Sequence, residues 1–393
     1  MGVLVNTFFK KICYNFQKYK NAKIKTPKTA YNTFEVIELK SRIIYYAAAN
    51  SCSGYVTHFG EYIKTGQKII VLKNASRLIK NMLFKDLEKQ LNIAKLDYET
   101  IISTGYAREI GAVIVPETKL VVADETYFGK DVPEGAFIYD FAECCETKDK
   151  HFLNLNTATL EENDIYNAMT EHMKNAKEIH DKWEEIYIKN IDFDKLNRAT
   201  DELISEIFSN VGGSIEAQNA KNVNRFFGTL LPSGGKNYID ELTADLKKRI
   251  FIKGRPGTGK STMLKKIRTE ANRRGFDTET YFCSFDTQSL DMVVIREIGI
   301  CVFDSTAPHE MFPTRSGDSV FDVYEKAVAG GTDEKYAQEL EEIQKRYNAE
   351  VHIAKQYLHS AHEAAARREI EFNSTLSQER LNNVIKESIE ISK

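Results

Sequence analysis

No apolar run in this 393-residue chain approaches the roughly 18 residues that a membrane-spanning helix needs. No N-terminal stretch pairs an apolar core with a small-residue cleavage site, so a secretory signal is not expected. The six cysteines, Cys13, Cys52, Cys144, Cys145, Cys283 and Cys301, form no C-x-x-C pair. Adjacent Cys144 and Cys145 are poorly placed to bridge each other. Together these absences predict reduced thiols in a cytoplasmic protein. Charge of one sign is also lacking. The formal net charge is −3 and no basic stripe is present, so no specific nucleic-acid partner is expected. Hydrophobic residues at 42% and charged residues at 28% give the balance of a soluble globular protein. The length favours two or three domains.

One segment departs from that balance. Lys10, Lys11, Lys18, Lys20, Lys23, Lys25 and Lys28 precede the first acidic residue, Glu35. Phe8, Phe9, Ile12, Phe16 and Tyr19 among them are spaced for one helix face. The simpler reading of residues 1–34 is a basic helix packed on the protein's own acidic surface. The alternative is contact with an anionic membrane surface or nucleic acid.

A repeat organises the rest. Shifted by 180 residues, Val71-Leu72-Lys73 falls on Phe251-Ile252-Lys253, Lys80 on Lys260, and Asp97, Glu99 and Thr100 on Asp277, Glu279 and Thr280. In the same register Val113, Val122, Asp124 and Thr126 meet Val293, Val302, Asp304 and Thr306. Apolar strands and charged punctuation align together without a gap, which predicts two homologous α/β units of mainly parallel sheet with flanking helices. The expected divisions are a basic segment 1–42, a first unit 43–150, a helical extension and linker 151–222, a second unit 223–330 and a C-terminal helical extension 331–393. The linker is read from Val211-Gly212-Gly213 to Asn224. Ile165, Met169, Met173, Ala176, Ile179, Trp183 and Ile186 form a helical stripe in the first extension. Tyr336, Leu340, Ile343, Tyr347, Val351, Ala354 and Leu358 form one in the second. The stripes are expected to pack on each other or on the α/β cores. Ser377 reads as the cap of a shorter final helix.

In the second unit the apolar run Arg249–Ile252 precedes Gly254-Arg255-Pro256-Gly257-Thr258-Gly259-Lys260-Ser261, and Thr262 to Arg274 reads as a helix stopped by Gly275. Strand, glycine-rich loop and helix in this order are the context of a phosphate-binding P-loop. Backbone N–H groups from Gly257 to Ser261 would cradle a phosphate. Lys260 would reach the β- and γ-phosphates, and Ser261 would offer its hydroxyl to Mg²⁺. Ile300–Asp304, an apolar strand ending in an acid, supplies the expected metal acid, Asp304. The next residues are Ser305-Thr306-Ala307, so no glutamate follows Asp304 to orient water. Asp286 and His309 are the candidates for that work or for contact with the γ-phosphate. Asp291 reads as a cap of the Ser289-Leu290 turn, and Arg315 as surface.

At the matching position the first unit has Asn74 for Gly254, Ile79 for Gly259 and Asn81 for Ser261. A β-branched residue at the second glycine blocks close backbone approach, and the metal hydroxyl is gone. Lys80 and Asp124 persist, but this unit is expected to be a structural or regulatory partner. Arg77 or Arg108 reaching across as an arginine finger is a distant alternative to surface placement.

The second unit resembles a family of mostly uncharacterised bacterial P-loop proteins with two tandem NTPase units. Arg225-Phe226-Phe227-Gly228-Thr229, the loop from Lys253 to Thr262, Cys283-Ser284-Phe285-Asp286, Ser289-Leu290-Asp291 and Phe303–His309 carry the resemblance over about 225–325. It implies an ATPase or nucleotide-kinase-like protein binding ATP. The lost first loop departs from the two-site pattern. The expected function is thus a Mg-dependent ATPase with one active unit. A kinase acting on a small molecule or nucleotide, and a nucleotide-binding regulatory module, are the alternatives. Self-association or a protein partner is compatible with all three. GTP is disfavoured because no Asn-Lys-x-Asp motif follows the loop.

Overall fold

The computed structural model describes residues 43–105, 109–146, 155, 160–209, 211, 220–307, 310–377 and 379–380. The basic N-terminal segment, Arg108, His309 and most of the helix expected after Ser377 lie outside the described residues.

The chain forms two six-stranded mixed sheets, mostly parallel, flanked by helices. The first holds β1 (Ile43–Tyr45), β4 (Lys68–Lys73), β5 (Glu99–Ile102), β6 (Ile110–Val115), β7 (Leu120–Asp124) and β8 (Phe137–Asp140), in the order β1-β5-β6-β7-β4-β8. The second holds β9 (Asn222–Arg225), β12 (Lys248–Lys253), β13 (Thr278–Phe282), β14 (Leu290–Ile295), β15 (Ile300–Asp304) and β16 (Asp318–Asp322), in the order β9-β13-β14-β15-β12-β16. The strands correspond one to one. Ile70 pairs with Val122 as Ile250 pairs with Val302, and Thr100 with Val113 as Thr280 with Val293. Even the register shift recurs, between Ile101 and Ile102 and between Tyr281 and Phe282. Within each sheet the two pairings that involve β6 or β14 are antiparallel, so the sheets are less parallel than expected. Runs such as IGAVIV and LDMVVI are buried along their whole length, as strands covered on both faces must be.

Each sheet carries an outlying hairpin. β2 (Ala48–Ser51) and β3 (Gly54–Thr57) match β10 (Gly228–Leu231) and β11 (Gly234–Asn237). Gly54 and Gly234 leave these turns at φ +87° and +116°, a conformation that only glycine adopts without strain.

Equivalent positions of the two units meet at the seam. Tyr46 and Phe226 exchange backbone hydrogen bonds, each of 2.9 Å. Tyr46 packs on Tyr238 and Phe226 stacks on His58, at centroid distances of 5.5 and 5.0 Å. Since His58 and Tyr238 are also equivalent, the contact is isologous, like that of a twofold dimer built in one chain. Beneath it the buried Arg225 binds Glu99 at 2.9 Å and Glu279 at 3.0 Å, and lies 4.2 Å from the ring of Tyr45.

The eight helices numbered here are α1 (Arg77–Ala94), α2 (Leu160–Ile188), α3 (Phe193–Phe208), α4 (Ile239–Leu242), α5 (Lys260–Arg273), α6 (Val323–Ala327), α7 (Thr332–Lys335) and α8 (Ala337–Ser374). α2 and α8 run antiparallel. Glu162 meets Arg368 at one end, and His172 bonds Glu350 at 2.7 Å nearer the middle. The two stripes do pack together: Met169 and Met173 cluster with Ala354 and Leu358, and Ile179 and Ile186 with Ile343. The expected linker is corrected at its end, because Asn222–Asn224 belong to β9, an edge strand pairing with β13.

The helical arms are exchanged between units. α3, from the first extension, packs Leu196, Leu203, Ile207 and Phe208 on Met263, Leu264 and Ile267 of α5. The end of α8 and the residues after it, from the second extension, bury Phe372 and Leu376 in the core that holds the first unit's strands. Isolated bridges fix both crossings, Ile191 with Val328 and Cys145 with Leu376. Among the described residues no helix is long and apolar enough to cross a membrane. The described cysteines, Cys52, Cys144, Cys145, Cys283 and Cys301, are free thiols.

Candidate functional site

β12 ends at Lys253 and α5 begins at Lys260, with Gly254–Gly259 between them. The helix starts two residues earlier than expected, so Lys260 and Ser261 occupy its first turn, where backbone N–H groups lack intrahelical partners. Gly257 and Gly259 take φ of +75° and +81°, which turn the loop back toward the helix N-terminus. A Cβ at Gly254 would come within 2.8 Å of Thr258 Oγ1. The loop is closed on itself. Thr258 Oγ and Lys260 Nζ both donate to the Arg255 carbonyl, each at 2.7 Å. Arg255 reaches away to Asp333 at 2.8 Å. Pro256 lies within the same turn, and Thr262 follows Ser261 on α5.

Asp304 ends β15, which pairs in parallel with β12. It lies 3.6 Å from Lys260 and accepts the Thr306 N–H at 3.0 Å. Ser261 Oγ accepts the Leu290 N–H at 2.9 Å, which leaves its second lone pair free to bind. That bond brings the start of β14 to the loop and with it Asp291, which sequence reasoning had assigned to a turn cap. Asp291 is instead a buried strand residue. Met292 pairs with Phe303, so Asp291 and Asp304 are the next facing positions on that antiparallel ladder. Burial, reinforced by the Asp304 charge, raises the Asp291 carboxyl above its ordinary value. Ser261, Asp304 and Asp291 thus gather hard oxygen donors at one end of the sheet, a set that suits Mg²⁺. The apolar β14 run that Asp291 interrupts is visible in the sequence, but the residue's partner lies across a ladder that no local pattern reveals.

Asp286 stands in the turn between β13 and β14, accepts the Gln288 N–H at 3.1 Å, and lies 3.5 Å from Lys177 of α2. Arg315 sits at the opposite end of β12, where it donates to the Thr243 carbonyl at 2.8 Å, so it is remote from the loop. His309 lies outside the described residues.

Residues of the first extension adjoin the loop, which the sequence did not announce. A Cβ at Gly257 would come within 2.6 Å of the Glu184 carbonyl oxygen, so α2 is seated directly on the loop backbone. His180 Nδ1 lies 3.7 Å from Glu184 Oε1. Lys177, one turn before, binds Asp181. Burial raises the Glu184 carboxyl, and it lowers the His180 imidazole with help from the Lys177 and Lys260 charges.

In the first unit the same positions are filled from within. Lys80 lies 2.8 Å from Asp124 and 3.3 Å from Glu109. Burial opposes its charge, yet the two carboxylates hold its pKa above the ordinary value. Arg77, at the start of α1, gives its backbone N–H at 2.9 Å and its Nε at 2.5 Å to the carboxylate of Glu369 of α8. Asn74 adopts φ +52° where the second unit has Gly254.

No protein-family model, no curated protein and no solved structure matches the chain.

Proposed function

We propose that the second unit binds a nucleoside triphosphate with Mg²⁺ through Gly254–Thr262 and hydrolyses it, and that the first unit is a non-binding structural partner. ATP is the expected nucleotide. The observation that carries the reading is the loop itself: two positive-φ glycines immediately before Lys260 and Ser261 at a helix N-terminus, with Asp304 at the end of the neighbouring strand. A phosphate in this loop replaces the Arg255 carbonyl as the partner of Lys260. Freed from its 3.6 Å approach to Asp304, Lys260 leaves that acid and Asp291 to a divalent cation. Asp304, Asp291 and the Ser261 hydroxyl would hold Mg²⁺ there, and the ion would supply neutralisation of phosphate charge.

Hydrolysis is the leading reading and transfer to an acceptor the alternative. Asp286 is engaged by Lys177 and the Gln288 N–H and so does not decide between them. Incubation with γ-labelled ATP and Mg²⁺, with and without a metabolite extract, tests this. Label in inorganic phosphate alone is expected, and a labelled metabolite would favour the kinase. The Lys260→Ala variant should bind a fluorescent ATP analogue at least ~100-fold more weakly, the scale of losing charge-assisted phosphate contacts. Unchanged affinity in that variant removes the site assignment.

A further inference from the structure

The two exchanged arms are built alike, and their likeness exposes a residue for the reaction. Seven residues before Ile191 stands Glu184, and seven before Leu376 stands Glu369. Ile191 and Leu376 make corresponding bridges to the opposite units, so the two glutamates occupy corresponding positions on α2 and α8. Each faces the loop of the other unit at the same place, Glu369 at Arg77 and Glu184 at Gly257. In the first unit this geometry carries the Glu369 carboxylate onto the backbone N–H and the Nε–H of Arg77 at the start of α1, where an anion would sit. An arm glutamate therefore has the reach to meet whatever occupies the mouth of the loop. In the second unit Gly257 offers no side chain to hold the carboxylate, and Glu184 lies in the field of Lys177, Asp181, Lys260 and Asp286.

Resting on the nucleotide-binding reading above, we propose that the second unit's active site is completed by the first unit's arm, and that Glu184 is the catalytic carboxylate that orients the attacking water. The segment after Asp304 offers no acid for this work up to Glu310, and Glu310 is bound to Lys253 at 3.2 Å. Glu184 accepts a proton of the water as the water oxygen bonds to the γ-phosphorus. The bond from that phosphorus to the bridging oxygen breaks, and its electron pair leaves on the nucleoside diphosphate. The proton on Glu184 then passes to the released phosphate. His180, with Nδ1 buried and not hydrogen-bonded, lies 3.7 Å from the Glu184 carboxylate one turn earlier on the arm.

The test compares the full-length wild type with Glu184→Gln and Glu369→Gln. Affinity for a fluorescent ATP analogue with Mg²⁺ and single-turnover phosphate release are both measured. Glu184→Gln should keep its affinity within about threefold and slow phosphate release by ~10²–10⁴, the range for a lost general base. Glu369→Gln should release phosphate at the wild-type rate. The wild-type rate should rise with pH as Glu184 ionises among Lys177, His180, Asp181, Lys260 and Asp286, and this rise should vanish in Glu184→Gln. If Glu184→Gln does not fold, Glu184→Asp keeps the charge, shortens the reach and must also be slowed. Wild-type turnover in Glu184→Gln or Glu184→Asp, or a wild type that binds nucleotide without cleaving it, overturns the assignment of Glu184. A wild type that binds no nucleotide overturns the function proposed for the loop instead.

Discussion

The two units share strand order, register and even a bulge, yet they treat the same lysine in opposite ways. Lys80 is locked between Asp124 at 2.8 Å and Glu109 at 3.3 Å, whereas Lys260 bonds a loop carbonyl and stays 3.6 Å from Asp304. The arm over the first loop delivers a carboxylate to the backbone N–H and guanidinium of Arg77, while the arm over the second touches the loop through its own backbone. A fold that presents N–H groups and a lysine at a helix N-terminus creates a place for negative charge. In the first unit the protein fills that place with its own carboxylates, and the feature becomes stabilising. In the second unit Asp304 stands farther from the lysine, and on the proposed function a ligand takes that place. Under the proposed function, the difference between a structural unit and a binding unit is a matter of where three or four carboxylates lie.

The hardest blow to this comparison would come from exchanging the consequences of the two lysines. Lys80→Ala leaves Asp124 and Glu109 buried without their cation, and breaking a buried pair in this way costs about 3–5 kcal/mol. Urea unfolding should show that loss, with nucleotide affinity of the folded protein unchanged. Lys260→Ala should do the reverse, abolishing binding with a much smaller change in the unfolding midpoint. Equal stability losses in both variants would mean that Lys260 is also a structural cation and that the contrast is false.

Much of this arrangement could be read along the chain, and the reasons it stops are physical. The offset of 180 residues was legible because apolar strands and the acids that end them recur in register, and Ile300–Asp304 forms the strand its pattern predicts. β9 was hidden in a linker because Asn222-Val223-Asn224-Arg225 is an edge strand whose polar residues look like loop. Asp291 was misread because Ser289-Leu290-Asp291 resembles a turn, while its position opposite Asp304 depends on a ladder between distant segments. A helical stripe states that α2 must pack but not on which unit, so the seating of Glu184 on Gly257 could not be inferred. The match between Glu184 and Glu369 was further obscured because the arms drift out of the 180-residue register before the bridges at Ile191 and Leu376. Glu369 itself lies in Arg-Arg-Glu-Ile-Glu, which reads as a solvated helix face.

A second contrast can be sharpened at Glu369. Replacing it by glutamine removes the charge from two bonds to Arg77, one of them to a helix N-terminal N–H. Hydrogen bonds to a charged group contribute about 1.5–3 kcal/mol, and the amide oxygen of glutamine keeps part of that. A destabilisation of about 1–2 kcal/mol in urea unfolding is expected. Nucleotide binding should not appear in the first unit as a result, because Asn74, Ile79 and Asn81 still occupy the loop positions. An unchanged midpoint would show that the carboxylate over the first loop is a bystander, and the internal-anion account of that unit would lose its main support.

The finest distinction concerns Glu109, whose counterpart at the matching position is Ser289. Burial pushes the Glu109 carboxyl up to about 7, against the opposing pull of Lys80. In the unfolded chain the same group ionises in the ordinary carboxylate range near 4.3. Between those values the folded protein holds the proton more tightly than the unfolded chain does. Its contribution to stability is therefore complete below the ordinary range and is lost as pH rises through about 7. Glu109→Gln cannot ionise, so its unfolding midpoint should fall less steeply than the wild type's between about pH 5 and pH 8. Ser289→Ala, at the matching position in the second unit, should leave the pH slope as it is. Identical slopes for wild type and Glu109→Gln would mean that Lys80 holds Glu109 ionised throughout, and that the first unit stores its anion as a fixed charge rather than as a protonated acid.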